Sequence, residues 1–162
     1  MQPIRPAFLL VTALSLGAAA IAEAAPSAAD AAAIQAFNQA YNAAIRSQDN
    51  ARVLALLAAD GVSLLPGEPA LRGRDALARF LDRIQAEMRG WKVKVQEMQC
   101  HDLVVHGDLA SEWCDTHQVV SRPDGKPDWE GRGKMSLVLQ RIDGQWRVRQ
   151  ESWNEGPASA GS

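Results

Sequence analysis

The feature that most constrains the fold of this chain is a change of hydrophobic period at Trp91. Before Trp91, apolar residues recur at every third or fourth position, which is typical of amphipathic helices. After it, apolar and polar residues alternate, and turn sequences such as Asp143-Gly144 separate the alternating runs, which is typical of antiparallel hairpins. Helices followed by antiparallel strands predict an α+β fold, in which helices cover one face of a single sheet.

The same two periods place the individual elements. The helical pattern predicts three helices, over 27–49, 51–60 and 73–88, with a short strand over 61–69. The alternating pattern predicts four strands, over 91–105, 109–121, 131–142 and 145–154. No internal repeat or linker interrupts this order, so we expect one domain over 25–156, followed by an unpacked tail over 157–162.

Residues 1–24 have the composition of a secretory signal. Arg5 provides a positive start, residues 8–22 are apolar without a charge, and Ala22-Glu23-Ala24 has the small residues that signal peptidase requires. A retained membrane anchor is the alternative, but a helix needs about 20 apolar residues to span a bilayer, and this run is shorter. We therefore expect a secreted protein, delivered to the periplasm, with no membrane contact after cleavage.

The overall charge argues against several classes of partner. With 17 Lys and Arg against 19 Asp and Glu, the formal net charge is −2. That balance does not favour nucleic acid or an anionic membrane surface as a partner. The sequence also lacks a Gly-rich phosphate loop, a nucleophile elbow and a His-x-x-x-His helix, so no cofactor is predicted.

Both cysteines lie at the ends of the segment CHDLVVHGDLASEWC, at Cys100 and Cys114. A hairpin with the three-residue loop His106-Gly107-Asp108 places them directly opposite each other, within reach of a disulfide. A secreted protein meets oxidising conditions, which favour that bond. A zinc or copper site is the alternative, but in this register no histidine shares the cysteine face. We therefore predict a Cys100–Cys114 disulfide and no metal.

Three segments within about residues 30–154 form a recognisable pattern: AYNAAIRSQDNARVLALLAADGVSLLPGEPALRGRDALARFL, HGDLA before a strand, and DGQWRV before the last strand. Together they resemble SnoaL-like and ketosteroid-isomerase-like domains of the nuclear-transport-factor-2-like superfamily. The resemblance implies a cone, in which a strongly curved antiparallel sheet wraps around three helices and leaves a pocket at its open end. It also implies a homodimer formed through the outer face of the sheet.

The resemblance does not extend to the full set of isomerase catalytic groups. Tyr41 stands where a tyrosine of that pattern polarises a carbonyl. Leu65, before Pro66, replaces the general-base aspartate, and no carboxylate lies near 136–138, where a second acid belongs. Leucine cannot transfer a proton. The isomerase reaction is therefore not expected, and the leading hypothesis is binding of a small hydrophobic or amphipathic molecule.

The resemblance also indicates which strand residues face the pocket. Matching the long strands to the pattern turns the row from Ser111 to His117 inward, together with the last strand's row from Val148 to Asn154. Trp129 follows the longest loop and is expected at the pocket mouth. The predicted ligand-binding residues are Tyr41, Ser111, Trp113, Trp129, Met135, Leu137, Gln150, Ser152 and Asn154.

Two other functions stay open at this point. In the first, the protein is an isomerase, lyase or cyclase in which Asp115 and His117 transfer protons together with Tyr41. The opposing interpretation of Asp115 and His117 is a solvated pair, with His117 bound to Glu97 across the hairpin. In the second, the protein is a dimeric interaction module whose pocket is filled by its own side chains.

Overall fold

Three helices and six strands make up the computed structural model of the protein, which describes residues 25–156; the predicted signal over 1–24 and tail over 157–162 lie outside the described residues. The helices are α1 (Ala28–Arg46), α2 (Asn50–Ala55) and α3 (Arg74–Glu87). The strands are β1 (Leu57–Leu64), β2 (Leu71–Arg72), β3 (Lys92–His106), β4 (Leu109–Ser121), β5 (Trp129–Ile142) and β6 (Gln145–Glu155).

The strands form one curved, unclosed sheet in the order β2-β1-β6-β5-β4-β3. All neighbouring strands are antiparallel except β1 and β6, which are parallel. The helices cover one face of this sheet, so the α+β fold predicted from the change of period is confirmed. Among the described residues, no helix has both the length and the apolar character needed to cross a membrane.

Helix α1 begins where the sequence predicts. The Ser27 hydroxyl oxygen accepts a hydrogen bond from the Asp30 backbone N–H at 3.1 Å, and the hydroxyl donates to the Asp30 carboxylate at 2.8 Å. The apolar side of the helix packs onto β3 and buries Ile34, Phe37 and Tyr41. This packing brings the Tyr41 hydroxyl inside the protein.

The helix predicted over 51–60 is wrong in its second half. Helix α2 ends at Ala55, and β1 begins at Leu57. Leu57 pairs with Val148 of β6 and is 2% exposed. Burial and strand pairing therefore outweigh the helix propensity of this leucine- and alanine-rich run. The two-residue strand β2, which pairs with β1, has no counterpart among the predicted elements.

The turn between β3 and β4 is one residue shorter than predicted. His106 pairs with Leu109, which leaves two turn residues, Gly107 and Asp108, in place of the predicted three. Near the turn, every pair is therefore displaced by one residue from the predicted register, and Ala110 pairs with Val105.

A bulge in β3 restores the predicted register further from the turn. It lies between His101 and Val104, where Asp102 adopts the left-handed φ of 53°. Beyond it, Cys100 stands opposite Cys114, and the two cysteines form the disulfide that the sequence predicts. The prediction of this pair is correct because the shorter turn and the bulge compensate each other.

Candidate functional site

A cavity of about 360 Å³ lies between the helices and the covered face of the sheet. Cavities of this size are typical of small-molecule sites. Most of its lining is apolar, from Val53, Leu77, Phe80, Leu81, Ile84, Trp129, Met135 and Trp153. Helix α3 contributes four of these side chains, because its apolar stripe faces the sheet.

Two buried polar side chains meet in the lining of the cavity. The Tyr41 hydroxyl donates a hydrogen bond to Glu151 Oε2 at 2.5 Å. Ser63, on the neighbouring strand β1, donates to Glu151 Oε1 at 2.5 Å. Tyr41 is 4% exposed and Glu151 is 5% exposed, so solvent reaches neither group freely. The three side chains connect α1, β1 and β6 at one point.

Both acids of this pair are shifted towards their protonated forms. Burial raises the pKa of Glu151 above its ordinary value of 4.5, although the hydrogen bonds from Ser63 and Tyr41 oppose the rise. Burial also raises the pKa of Tyr41 well above 10.0, and the nearby Glu151 adds to that rise. Glu151 is therefore a carboxyl group that can hold or release a proton next to the cavity.

A pair of amide side chains provides further polar atoms in the lining. Gln118 Nε2 donates a hydrogen bond to Gln96 Oε1 at 2.8 Å. Gln96 is 8% exposed, and both residues line the cavity. Amides carry no charge; among the described lining residues, Glu151 is the only carboxylic acid and Arg132 is the only basic residue.

Two tryptophans reach the cavity because glycines lie beneath them. A β-carbon at position 131 would be 2.2 Å from the Trp129 ring, and one at position 133 would be 2.9 Å from Trp153 Nε1. Contacts this short do not occur between real β-carbons and their neighbours. Gly131 and Gly133 on β5 therefore leave the space in which both indole rings lie against the sheet.

Some of the predicted ligand-binding residues lie at this cavity. Tyr41, Trp129 and Met135 belong to its lining. Leu137 lies on the same face of β5 but is 1% exposed and packs in the hydrophobic core rather than in the lining.

The predicted inward row of β4 lies on the opposite face of the sheet, and this prediction is wrong. The residues that face the helices are Ala110, Glu112, Cys114, Thr116 and Gln118. Side chains of a strand alternate between its faces, so Ser111, Trp113, Asp115 and His117 point away from the cavity. The first residue after the turn that faces the helices is Ala110 and not Ser111, so every later side chain of β4 lies on the face opposite to the predicted one.

On that outer face, Asp115 and His117 bind other partners than Tyr41. Asp115 contacts His101 Nε2 at 3.1 Å and Lys134 Nζ at 2.9 Å, and the Lys134 hydrogen bond is the largest cause of the lowered pKa of Asp115. The structure therefore does not bring Asp115 together with Tyr41.

His117 is held between two carboxylates on the same outer face. Its Nδ1 lies 3.1 Å from Glu97 Oε2, and its Nε2 lies 2.9 Å from Glu130 Oε1. The Glu97 contact is the one that the predicted register implies. His117 is thus part of a surface network of charges, separated from the cavity by the thickness of the sheet.

A bulge in β6 reverses the predicted faces of the last strand after Arg149, whereas Val148, before the bulge, faces inward as predicted. Val138 pairs with Gln150 and Leu139 pairs with Val148, which leaves Arg149 without a partner in β5. Beyond Arg149, the inward row continues with Glu151 and Trp153.

The last three predicted ligand-binding residues, Gln150, Ser152 and Asn154, are consequently absent from the cavity lining, and their predicted positions are wrong. Sequence reasoning missed Glu151 for the same reason. One signal for the bulge was present, since Trp146 and Trp153 cannot both face inward on an unbroken alternation.

One set of possible metal ligands occurs among residues 25–156. Ligand atoms of Cys100, Glu112 and Cys114 lie within 4.8 Å of one another. The disulfide uses both sulfur atoms, so neither is a free thiolate, which is the form that binds metals. Glu112 is therefore the only residue of this set that could still bind a metal ion.

The chain matches the SnoaL-like domain family over residues 34–153. Its fold is similar to that of a ketosteroid isomerase-like protein from Erwinia carotovora atroseptica SCRI1043, with 22% identity, a TM-score of 0.68, and coverage of 78% of this chain and 96% of that one. A protein of unknown function with a cystatin-like fold from Nostoc punctiforme PCC 73102 is 16% identical, with a TM-score of 0.62 and coverage of 82% and 95%.

An NTF2-like protein of unknown function from Pseudomonas putida KT2440 is 21% identical, with a TM-score of 0.66 and coverage of 83% of this chain and 92% of that one. At these identities the likeness shows the fold alone. No curated protein matches the chain.

Proposed function

The chain belongs to the SnoaL-like domain family, and on that premise we propose that its cavity binds a small, largely apolar molecule through one hydrogen-bonding group. The observation that carries the proposal is the Tyr41–Glu151 pair, a buried hydroxyl and carboxyl at the edge of a mostly apolar cavity. Small-molecule sites commonly combine an apolar lining with a few polar groups that fix orientation.

The pair suits a ligand that carries a hydroxyl or a carbonyl. An ionised Glu151 has lone pairs left to accept a hydrogen bond from a ligand hydroxyl, and a protonated Glu151 can donate one to a carbonyl. The rings of Phe80, Trp129 and Trp153 offer flat apolar surfaces for the rest of the ligand. A ligand that consists of a ring system with one polar substituent matches this combination of apolar surfaces and one carboxyl group.

The first test is a thermal-shift screen of the purified protein with neutral ring compounds that carry one hydroxyl or one carbonyl. We expect a subset to raise the melting temperature. For that subset, Tyr41→Phe and Glu151→Gln are expected to weaken binding about tenfold, since a hydrogen bond to a charged or buried group contributes about 1.5 kcal/mol or more. Calorimetric titration measures the affinities.

His117→Ala is the matched control for that screen, because His117 lies on the outer face of the sheet. Its affinity for the same compounds is expected to equal that of the wild type. The proposal is contradicted if no compound raises the melting temperature, or if Tyr41→Phe and Glu151→Gln bind the compounds as well as the wild type does.

A proton-transfer enzyme of isomerase, lyase or cyclase type is the second candidate function. The observation that favours it is Glu151, because a buried carboxyl with a raised pKa beside a cavity has the property of a general acid or base. Glu151 then takes the role that the sequence suggested for Asp115 and His117, and Tyr41 keeps the role suggested for it. Exchange of solvent deuterium into a bound ligand distinguishes this candidate from simple binding.

We also propose that the protein is exported to the periplasm. Support comes from the disulfide, since such bonds persist in oxidising compartments, and from the apolar run over 8–22 in the sequence.

A homodimer through the outer sheet face is a further proposal. Support comes from Trp113, a partly exposed aromatic ring on that face, since aromatic residues are enriched at interfaces. Lys134 Nζ lies 4.8 Å from the centre of this ring. Ser136, opposite Trp113 in the sheet, is exposed at the centre of the face. We expect sedimentation velocity to give the mass of a dimer for the wild type and of a monomer for Ser136→Arg. The control Gln85→Arg, at an exposed position of α3 away from the outer sheet face, is expected to stay dimeric, and a monomeric wild type would exclude the proposal.

A further inference from the structure

A second cavity, of about 450 Å³, lies between α1 and strands β3 and β4. It shares no lining residue with the first cavity, so the two are separate sites. We call it the α1 groove and define it by Ile34, Asn38, Asn42, Met98, Cys100 and Glu112. Neither the catalytic nor the ligand-binding residues considered above belong to it.

Glu112 is the ionisable residue of the α1 groove, and it is incompletely hydrogen-bonded. It is 7% exposed, and its Oε1 has no hydrogen-bond partner among residues 25–156. An unbonded polar atom in a buried position costs free energy, about 1–3 kcal/mol and more for a charged group. Burial raises the pKa of Glu112, and a hydrogen bond from the Asn38 side chain opposes the rise.

Two asparagines of α1 add unbonded acceptors to the same groove. Asn42 Nδ2 donates to the backbone carbonyl of Gln96 at 3.1 Å. This bond fixes the orientation of the Asn42 amide, and the Oδ1 atoms of Asn38 and Asn42 are both buried without a partner in the described chain. The two residues are four positions apart on one helix, so they share a face.

The three unbonded atoms are therefore all oxygens that accept hydrogen bonds, and one belongs to a carboxylate. A ligand that satisfies them must bring several N–H or O–H donors and should be positively charged. The groove is also lined by the apolar side chains of Ile34, Met98 and Leu103. These surfaces suit methylene groups and not a hydrated ion.

We propose that the α1 groove binds an alkylammonium ligand, a diamine or polyamine, with an ammonium group on Glu112 and the asparagine oxygens. An ammonium group brings three N–H donors to a groove whose unbonded buried atoms are acceptors, and its charge pairs with the carboxylate. A calcium ion is a poorer match, because it takes six to eight oxygen ligands and this groove offers one carboxylate beside apolar side chains.

The test is a calorimetric titration of the purified, disulfide-bonded protein with 1,4-diaminobutane and with spermidine. Butane-1,4-diol, a neutral molecule of the same chain length, and calcium chloride serve as matched probes. We expect the amines to bind at least about tenfold more tightly than the diol, since ionic hydrogen bonds are roughly twice as strong as neutral ones. Glu112→Gln is expected to lose about tenfold in amine affinity, because it removes the charge and keeps the shape.

A second variant keeps the test decisive if Glu112→Gln folds poorly. Gln35 lines the same groove and is exposed, so Gln35→Lys places a positive charge at the edge of the groove. This charge repels the ammonium group of the ligand, and we expect amine affinity to fall. Glu97→Gln, on the outer face of β3, and Tyr41→Phe, in the first cavity, are expected to leave amine affinity unchanged. Equal affinity for diamine and diol, tighter binding of calcium than of the amines, or unchanged amine binding in both groove variants would overturn the proposal.

Discussion

Reducing the Cys100–Cys114 disulfide is expected to lower the free energy of unfolding by about 3 kcal/mol, the value for a cross-link that closes a loop of about 15 residues. The two cysteines are separated by 14 positions, and the bond joins directly opposed residues of β3 and β4. In the unfolded chain the bond removes conformations that the reduced chain can adopt, so its loss stabilises the unfolded state relative to the folded one.

Urea unfolding with and without a reducing agent measures this difference. The double variant Cys100→Ala, Cys114→Ala is the control, because a reducing agent has no bond to break there and its unfolding curve should not move. Cys114 is fully buried, so this variant also loses some packing, and it should be no more stable than the reduced wild type. Coincident curves for oxidised and reduced wild type would contradict the expected stabilisation.

The disulfide also fixes the relative position of the groups in the α1 groove. Cys100 lines the groove, and Glu112 lies within 4.8 Å of the sulfur atoms. A cross-link at this point holds β3 and β4 in the register that the bulge at Asp102 restores. If the register slipped by one residue, every side chain of one strand would move to the other face, and Glu112 would leave the groove.

The sequence predicts the elements of this fold well because they depend on periodicity. The α1 stripe of Ile34, Phe37 and Tyr41 and the alternation of β4 and β5 are each long enough to identify their element. The failure at 57–60 has a different origin. Leu57 and Ala58 are good helix formers, but Leu57 pairs in parallel with Val148 of β6, which lies 91 positions further along the chain.

The candidate site is harder to predict than the fold, because it depends on which face each residue occupies. One unpaired residue, Arg149, decides that Glu151 and not Gln150 faces the cavity. The segment QESWN does not distinguish the two alternations by itself, and the one signal for the bulge requires Trp153 to be compared with Trp146. The error on β4 is of the same kind, since the choice between Ala110 and Ser111 as the first inward residue assigns Asp115 and His117 to one face or the other.

The free energy of unfolding of the wild type is expected to fall as the pH rises because Glu151 loses its proton, and the Glu151→Gln variant is expected to lack this contribution. The pKa of Glu151 is raised in the folded protein above the ordinary 4.5, chiefly by burial. The folded state therefore holds a proton that the unfolded state releases between pH 4.5 and the raised pKa. Over that window the wild type loses stability with rising pH, by about 1.4 kcal/mol for each unit of the rise in pKa, and then levels off.

Glutamine keeps the shape of Glu151 and one oxygen acceptor for Tyr41 or Ser63, but it does not titrate. We therefore expect the unfolding free energies of the wild type and Glu151→Gln, measured from pH 4 to 9, to differ least in acid. As the pH rises, the free energy of unfolding of the wild type is expected to fall relative to that of the variant. Glu155→Gln, at an exposed carboxylate on the same strand, is the control and should follow the wild-type curve.

The difference between the two curves isolates Glu151, because Glu112, the other buried carboxyl with a raised pKa, is present in both proteins and contributes equally to each. A constant difference across the whole pH range would mean that the Tyr41 and Ser63 hydrogen bonds fully offset the burial of the charge. Glu151 would then be ionised at neutral pH, and the cavity would favour a ligand hydroxyl over a carbonyl. A widening difference instead identifies a carboxyl that still carries its proton above pH 4.5, as a proton donor to a ligand must.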